Sequence, residues 1–263
     1  MAKKQRLDIL VHERGMAPSR AKAQALIMAG DVFVNGERVD KAGTRFADDV
    51  EIFVKAQPPY VSRGGEKLAG ALEAFSFDVS EMVAADVGAS TGGFTDCLLQ
   101  KNAKKVYAID VGYGQLAHKL RIDERVIVME RTNARYLDAL PEQIDLAVID
   151  ASFISLKLLL PKVKLWMKPQ AHVIALIKPQ FEAGKSQVGK GGVVKDQDVH
   201  AQILRDILHT SIEEGFQVAG LTISPIKGLK EGNTEFLTWL TWGNEPTDFD
   251  LDQAIMTVLE MDI

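Results

Sequence analysis

From residue 82 onward, short apolar strands alternate with helical segments, and this alternation constrains the fold more than any other feature of the chain. Strands are predicted near Met82–Asp86, Lys105–Asp110, Val126–Met129, Ile144–Asp150, Ala171–Lys178, Gln217–Ile223 and Glu235–Trp242, with helices between the first six. Such a pattern yields an α/β architecture: a seven-stranded, Rossmann-like parallel sheet with helices on both faces. Ligands of such sheets sit beyond the carboxyl ends of the strands. The 263 residues are 46% apolar and 25% charged, which excludes a disordered or collagenous chain. No apolar run approaches the roughly 18 residues of a membrane span. The basic start runs into Leu7-Asp8-Ile9-Leu10, too charged for a signal-peptide core, so a cytoplasmic protein is expected. Cys97 is the single cysteine and the five histidines show no ligand spacing, so neither a disulfide nor a metal is expected.

Residues 1–57 follow a different pattern. Leu7, Leu10 and Val11 mark one helical face, Gly15 ends it, Ser19 caps a second helix carrying Ala23, Leu26 and Ile27, and Gly30 stops that one. Asn35-Gly36 between Val32-Phe33-Val34 and Arg38-Val39 is a hairpin signal, and Val50–Val54 reads as a closing strand. Two small helices on a small antiparallel sheet should leave Arg14, Arg20 and Lys22 facing solvent. The run from Ser19 to Gly36 resembles the alpha-L RNA-binding domain, and that resemblance implies contact with folded RNA through the helix pair, with Arg6, Arg14, Arg20 and Lys22 as candidate cations. Residues 58–61, with Pro58-Pro59, read as a linker to a domain over 62–243.

Charge agrees with this division. The formal net charge is −5, yet residues 1–30 hold six basic and two acidic side chains, while 244–263 hold six acidic and no basic ones. The acidic excess therefore belongs to a C-terminal tail, expected to be a solvated helix, and does not argue against a nucleic-acid partner.

The first strand of the larger domain leads into Asp86-Val87-Gly88-Ala89-Ser90-Thr91-Gly92-Gly93. The glycines permit tight turns and close approach to a ligand. Asp110, 24 residues beyond Asp86, ends the next strand and suits the hydroxyls of a ribose. A dinucleotide fingerprint is absent, and Asp86 suits an ammonium better than a diphosphate. The charge logic points to S-adenosylmethionine, with Asp86 at its ammonium, Gly88, Gly92 and Gly93 shaping the loop, Ser90 and Thr91 at its carboxylate, Asp110 at its ribose, and Asn133 near its adenine. Gly184–Lys190 fits most of a phosphate-binding loop, but Gly191 stands where that motif needs a hydroxyl. The stretch 183–194 is expected to be a lid or an RNA contact bearing Lys185 and Lys190.

Four charged residues stand at element ends: Lys67, Asp150, Lys178 and Glu235. The segments around them, Val61–Leu68, Gly88–Thr95, Asp110–Leu116, Glu130–Arg135, Ser152–Leu156 and Lys178–Glu182, resemble the TlyA family of the FtsJ-like ribose methyltransferases over nearly the whole chain. The resemblance implies a class I methyltransferase sheet, a Lys-Asp-Lys-Glu catalytic tetrad at those four positions, and 2′-O-methylation of cytidine in ribosomal RNA, with Arg63, Lys185 and Lys190 as further RNA contacts on the larger domain. A lysine acts as a base only when burial or a second cation lowers its pKa; Lys178 is the expected base, oriented by Asp150, with Lys67 as the second cation and Glu235 as its anchor. Some family members carry a haemolysin label. A non-catalytic ribosome-associated protein and a cytolysin are the competing readings; the intact loop and tetrad oppose the first, and the lack of a membrane segment opposes the second.

Overall fold

In the computed structural model, described over residues 4–56, 58–184, 187–189, 191–228, 232–243 and 248–261, the chain divides into two units, Met1–Gln57 and Pro58–Ile263. The first runs through β1 (Lys4–Arg6), α1 (Leu7–Glu13), α2 (Arg20–Ala29), β2 (Val32–Val34), β3 (Glu37–Arg38), β4 (Arg45–Ala47) and β5 (Ile52–Val54). Ser19 caps α2 by accepting the Lys22 amide, and Gly30 ends it in the left-handed conformation at φ 76°. Asn35 and Gly36, at φ 52° and 82°, turn β2 into β3. The apolar faces of both helices close on Val32, Val34 and Ile52.

Two features escaped the sequence pattern. β1 pairs antiparallel with β4, making a two-stranded sheet beside the three-stranded β3-β2-β5 sheet. Lys4-Gln5-Arg6 has no apolar alternation to announce it. Asp8 is also fully buried and accepts hydrogen bonds from Arg6 (3.0 Å), Arg20 (2.9 Å) and Gln24 (2.6 Å). Arg14 donates to the carbonyls of Asp48 and Val50. The three arginines expected as free cations therefore also hold the unit together, Arg6 and Arg20 keeping 39% and 50% of their side-chain exposure. Lys22 is exposed.

Burial opposes the charge of Asp8, but its bonds from Arg6, Gln24 and Arg20 outweigh burial and hold the carboxyl well below its ordinary range. A depressed folded-state pKa means stability that is present above the unfolded value and lost as pH falls through the folded one. Asp8→Ala is expected to cost the unit about 2 kcal/mol at neutral pH. Faster amide exchange in α1 and α2 is the measurement, and the wild-type advantage should shrink below about pH 4.

The second unit comprises α3 (Gly64–Ala74), β6 (Val83–Val87), α4 (Gly93–Gln100), β7 (Lys105–Ile109), α5 (His118–Arg121), β8 (Val126–Met129), β9 (Ile144–Ile149), α6 (Leu156–Val163), β10 (Met167–Ile177), α7 (Pro179–Glu182), α8 (Gln197–Glu213), β11 (Gln217–Ile223), β12 (Phe236–Trp242) and α9 (Leu251–Glu260). Its seven strands lie in the order β11-β12-β10-β9-β6-β7-β8. Alternate residues of the central strands face opposite cores. Ala85, Ala147 and Ile149 join α6 and α8 on one side, and Ala84, Val148 and Leu176 join α3 and α4 on the other.

The sheet is mixed, which corrects the all-parallel expectation. β12 runs antiparallel to both β10 and β11. Among the described residues no helix intervenes between β11 and β12, and β12 enters the sheet reversed. The C-terminal segment is also more than a solvated tail: Ile255 and Val258 of α9 are buried and belong to the same core as β11 and α8.

Strand order decides where a site can form. From β6 the chain builds outward through β7 and β8, then crosses back to β9 on the other side of β6. The reversal leaves a crevice beyond the carboxyl ends of β6 and β9. Asp86 and Gly88 end one of these strands, and Asp150 follows the other.

Candidate active site

Gly88, at φ 89°, passes so close to β9 that a Cβ there would lie 2.8 Å from the Asp150 carbonyl. Only glycine fits that approach. A Cβ at Gly93 would collide with Ser62 Oγ and lie 2.8 Å from the Gly65 amide, and one at Gly92 would strike Leu116 and Leu120. Much of the demand for glycine in this loop is thus internal: it lets the first turn of α3, which carries Lys67, pack against the start of α4.

The result is one cavity of about 830 Å³ that all four tetrad residues line. They stand as two ion pairs. Lys178 Nζ lies 2.5 Å from Asp150 Oδ1 and donates to Ser152 Oγ at 3.0 Å and the Asp150 carbonyl at 3.4 Å. Lys67 Nζ lies 2.5 Å from Glu235 Oε2, while Gln180 donates to Glu235 Oε1 at 3.2 Å. Lys67, Lys178 and Glu235 are only 9%, 7% and 3% exposed. Ser152 and Gln180 lie inside segments the sequence singled out, but a polar residue in a loop or a one-turn helix has no periodicity to mark it as a partner.

Asp86, Gly88, Ser90, Thr91 and Gly93 line the same cavity. The Asp86 carboxyl is fully buried; its Oδ2 accepts the Thr95 amide (2.9 Å) and hydroxyl (2.6 Å). Its Oδ1 has no hydrogen-bond partner among the described residues. Burial, reinforced by the like charges of Asp150 and Asp110, pushes this group up to about 7 against the bonds from Thr95.

These features have a match among known proteins. The model of the FtsJ-like methyltransferase family matches residues 60–242, and that of the S4 domain matches residues 5–52. The chain belongs to the FtsJ-like methyltransferase family. It is 49% identical over 266 residues to YqxC of Bacillus subtilis, provisionally designated an rRNA methyltransferase, covering 98% of this chain and 94% of that one. It is 45% identical over 244 residues to the Mycobacterium tuberculosis 16S/23S rRNA (cytidine-2′-O)-methyltransferase TlyA, covering 91% of each chain. A solved Streptococcus thermophilus structure, provisionally designated a hemolysin, superposes with a TM-score of 0.74 at 42% identity, covering 99% of this chain and 96% of that one. No helix among the described residues is long and apolar enough to cross a membrane.

Of the other expected site residues of this FtsJ-like chain, Arg63 lines the cavity, while Asp110, Asn133 and Gly92 do not. Asp110 lines a small neighbouring hollow, and its oxygens accept the amides of Ser90 (2.8 Å) and Gly112 (2.6 Å). Asn133 is exposed and accepts the Arg135 amide at 3.0 Å, capping a short 3-10 turn at Ala134–Tyr136. Gly92 turns the loop without lining the cavity. Arg63 lines it and donates to the Lys227 carbonyl at 2.6 Å. Lys185 and Lys190 lie outside the described residues.

One conspicuous residue lies in the singled-out Ser152–Leu156 segment but was given no role there. Phe153 is 88% exposed on the cavity wall, takes a left-handed backbone at φ 63°, and sets its ring 4.8 Å from that of Phe181. A large apolar side chain held outward in an unfavourable conformation offers a free aromatic face at the rim.

Proposed function

We propose that this chain transfers a methyl group from S-adenosylmethionine to the 2′-hydroxyl of a ribose in ribosomal RNA, with cytidine as the target nucleotide and the cytoplasm as its place of action. The observation that carries this reading is the pair of buried lysine–carboxylate contacts in one cavity with the β6 loop. A nearby relative named as a cytidine-2′-O-methyltransferase of 16S and 23S rRNA supports the substrate. The S4 domain, with Lys22 and the outer faces of Arg6, Arg14 and Arg20, is the proposed reader of RNA shape, joined by Arg63, Lys185 and Lys190 from the larger unit. Phe153 offers a stacking face for a base beside the reacting ribose.

The residues present suit the donor. An unpartnered, fully buried carboxylate oxygen on the cavity wall matches an ammonium group, and Ser90 and Thr91 in the same wall can meet a carboxylate. Asp110 and Asn133 are the proposed ribose and adenine contacts. When bound, S-adenosylmethionine supplies an electrophilic methyl group.

The chain supplies the rest. A ribose hydroxyl is a very weak acid and must lose its proton as it attacks. Lys178, as the neutral amine, accepts the hydroxyl proton, and Asp150 and Ser152 hold the ammonium that forms. Lys67, fixed by Glu235 and Gln180, presents a second cation to the developing oxyanion. Burial of both pairs makes the geometry rigid before RNA arrives, and alignment of hydroxyl with methyl provides much of the acceleration.

Mass-spectrometric mapping of ribosomal RNA incubated with the protein and S-adenosylmethionine tests the reading; new 2′-O-methylcytidine is expected, and unchanged ribose methylation refutes it. Donor affinity supplies a second test. Below about pH 7 the Asp86 carboxyl of the free protein holds a proton, and an incoming ammonium favours its loss. Affinity measured by calorimetry should therefore rise between pH 5.5 and 7, by about tenfold per unit at the acid end. Asp86→Asn should bind more weakly, with that dependence flattened.

A further inference from the structure

Part of the cavity wall is built from three separate stretches, around 191–194, 226–228 and 233–235, and one side chain joins them. Asn233 is 3% exposed. Its Oδ1 accepts the Val194 amide at 3.0 Å and its Nδ2 donates to the Gly192 carbonyl at 3.0 Å. Its own carbonyl accepts the Gly228 amide at 2.9 Å. The side-chain amide thus reads a donor and an acceptor of the glycine lip as a paired strand would. Two residues on, Glu235 holds Lys67, and the Glu235 carbonyl accepts the Ser224 amide at 2.8 Å. Gly191, Gly192, Lys227, Asn233 and Glu235 all line the cavity.

The lip needs such a tie. Gly191 and Gly192 stand at φ 87° and 85°, consecutive left-handed residues with little stiffness of their own. Beyond Asn233, the lip is held by its own backbone bonds, Gly192 to the Gly189 carbonyl (3.1 Å) and Gly189 to the Val193 carbonyl (2.9 Å), by burial of Val193 and Val194, and by His200, whose Nε2 lies 3.0 Å from the Val194 carbonyl. His200 also sets its ring edge-on to Phe236, 5.6 Å away at the start of β12, while Asn233 ties the lip by hydrogen bonds to the stretch that carries Glu235 itself. Only an amide fits the demand made on residue 233, because an ionised carboxylate cannot donate to the Gly192 carbonyl and an apolar side chain can do neither.

We propose that Asn233 is a positioning residue for methyl transfer, setting the 191–194 lip against the Glu235–Lys67 pair so that the acceptor ribose is received in register with the donor. The role rests on the proposed ribose methyltransferase activity. It predicts a defect in turnover rather than in donor binding, because the hydrogen bonds of Asn233 go to Val194, Gly192 and Gly228 and not to the β6 loop.

The test uses the full chain with Asn233→Ala and Asn233→Asp. Melting temperature, donor affinity by calorimetry, and kcat and KM for ribosomal RNA are measured between pH 6 and 8. Asn233→Ala should keep donor affinity and KM within about threefold while kcat falls by about a hundredfold, the scale of a misplacement of about 1 Å. Asn233→Asp should match the alanine variant at pH 8 and regain activity relative to wild type towards pH 6, because a protonated carboxyl can again donate to Gly192. The charged or titratable groups near that position are Glu235 two residues on, Lys227 in the adjoining stretch and His200 of α8. An alanine variant with wild-type kcat overturns the proposal. So does a parallel loss of melting temperature and donor affinity with no recovery of the aspartate variant at low pH, which marks a structural role. A wild type that methylates no ribosomal RNA overturns the functional reading itself, and this role with it.

Discussion

Lys178→Ala is expected to lower methyl transfer by about a thousandfold, within the range that a positioned general base contributes. Donor affinity should stay within about twofold. Among the described residues the Lys178 ammonium bonds to Asp150 and Ser152 and lies over the Phe181 ring, and its loss leaves Asp150 as an unpaired negative charge, which does not repel a cationic donor. Lys178→Arg separates two roles that alanine removes together. A guanidinium keeps the positive charge but does not release its proton at working pH, so it can pair with Asp150 and cannot act as a base. The arginine variant should therefore be as inactive as alanine while retaining the stability of wild type. Turnover within tenfold of wild type in that variant would show that position 178 acts through charge alone.

The second large effect concerns the Lys67–Glu235 pair. Both partners are nearly excluded from water, so Glu235→Ala strands a buried ammonium. Breaking such a pair from one side costs about 3 kcal/mol, and the loss of a fixed cation at the oxyanion adds a drop in kcat of about a hundredfold. The double variant Lys67→Met with Glu235→Leu removes both charges and replaces them with apolar volume. Urea unfolding should show most of the stability restored, while turnover remains as low as in the single variant. If the double variant is no more stable than Glu235→Ala, the pair is not the source of the cost. If Glu235→Ala retains full turnover, the pair has no part in the chemistry.

The two pairs also show why the tetrad is arranged as it is. Four bare charges in a cavity of about 830 Å³ would repel like charges and pay for desolvation. Matched as lysine and carboxylate, they are stable enough to be buried, and each lysine is directed at a fixed point. The buried carboxyl without such a partner is Asp86, and its raised pKa follows from that difference. The site is neutralised where the acceptor is proposed to react and left short of a cation where the donor's ammonium is proposed to sit.

Local pattern carried the sequence reading a long way. Asn35-Gly36, Ser19 and Gly30 specify their turn and caps through neighbours within a few residues, and they stand as read. Strand–helix alternation specified seven strands, and the position of Asp150 and Lys178 at strand ends put both at the functional edge. Pairing was beyond that reach. Lys67 and Glu235 are 168 residues apart and meet only because α3 and β12 are brought to one end of the sheet. The reversal of β12 came from the missing crossover helix. Asp110 and Asn133 were read as donor contacts; that Asp110 also accepts two backbone amides and Asn133 one depends on how their loops close. Arg20 was read as a solvent-facing cation and Arg6 as an RNA contact; both keep part of their exposure, and both also bond the buried Asp8. By itself, the sequence determined which elements form, because periodicity and capping act over a few residues. Only the tertiary structure decided which charged groups become partners, because that depends on strand order and on loops packed so closely that Gly88 cannot carry a side chain.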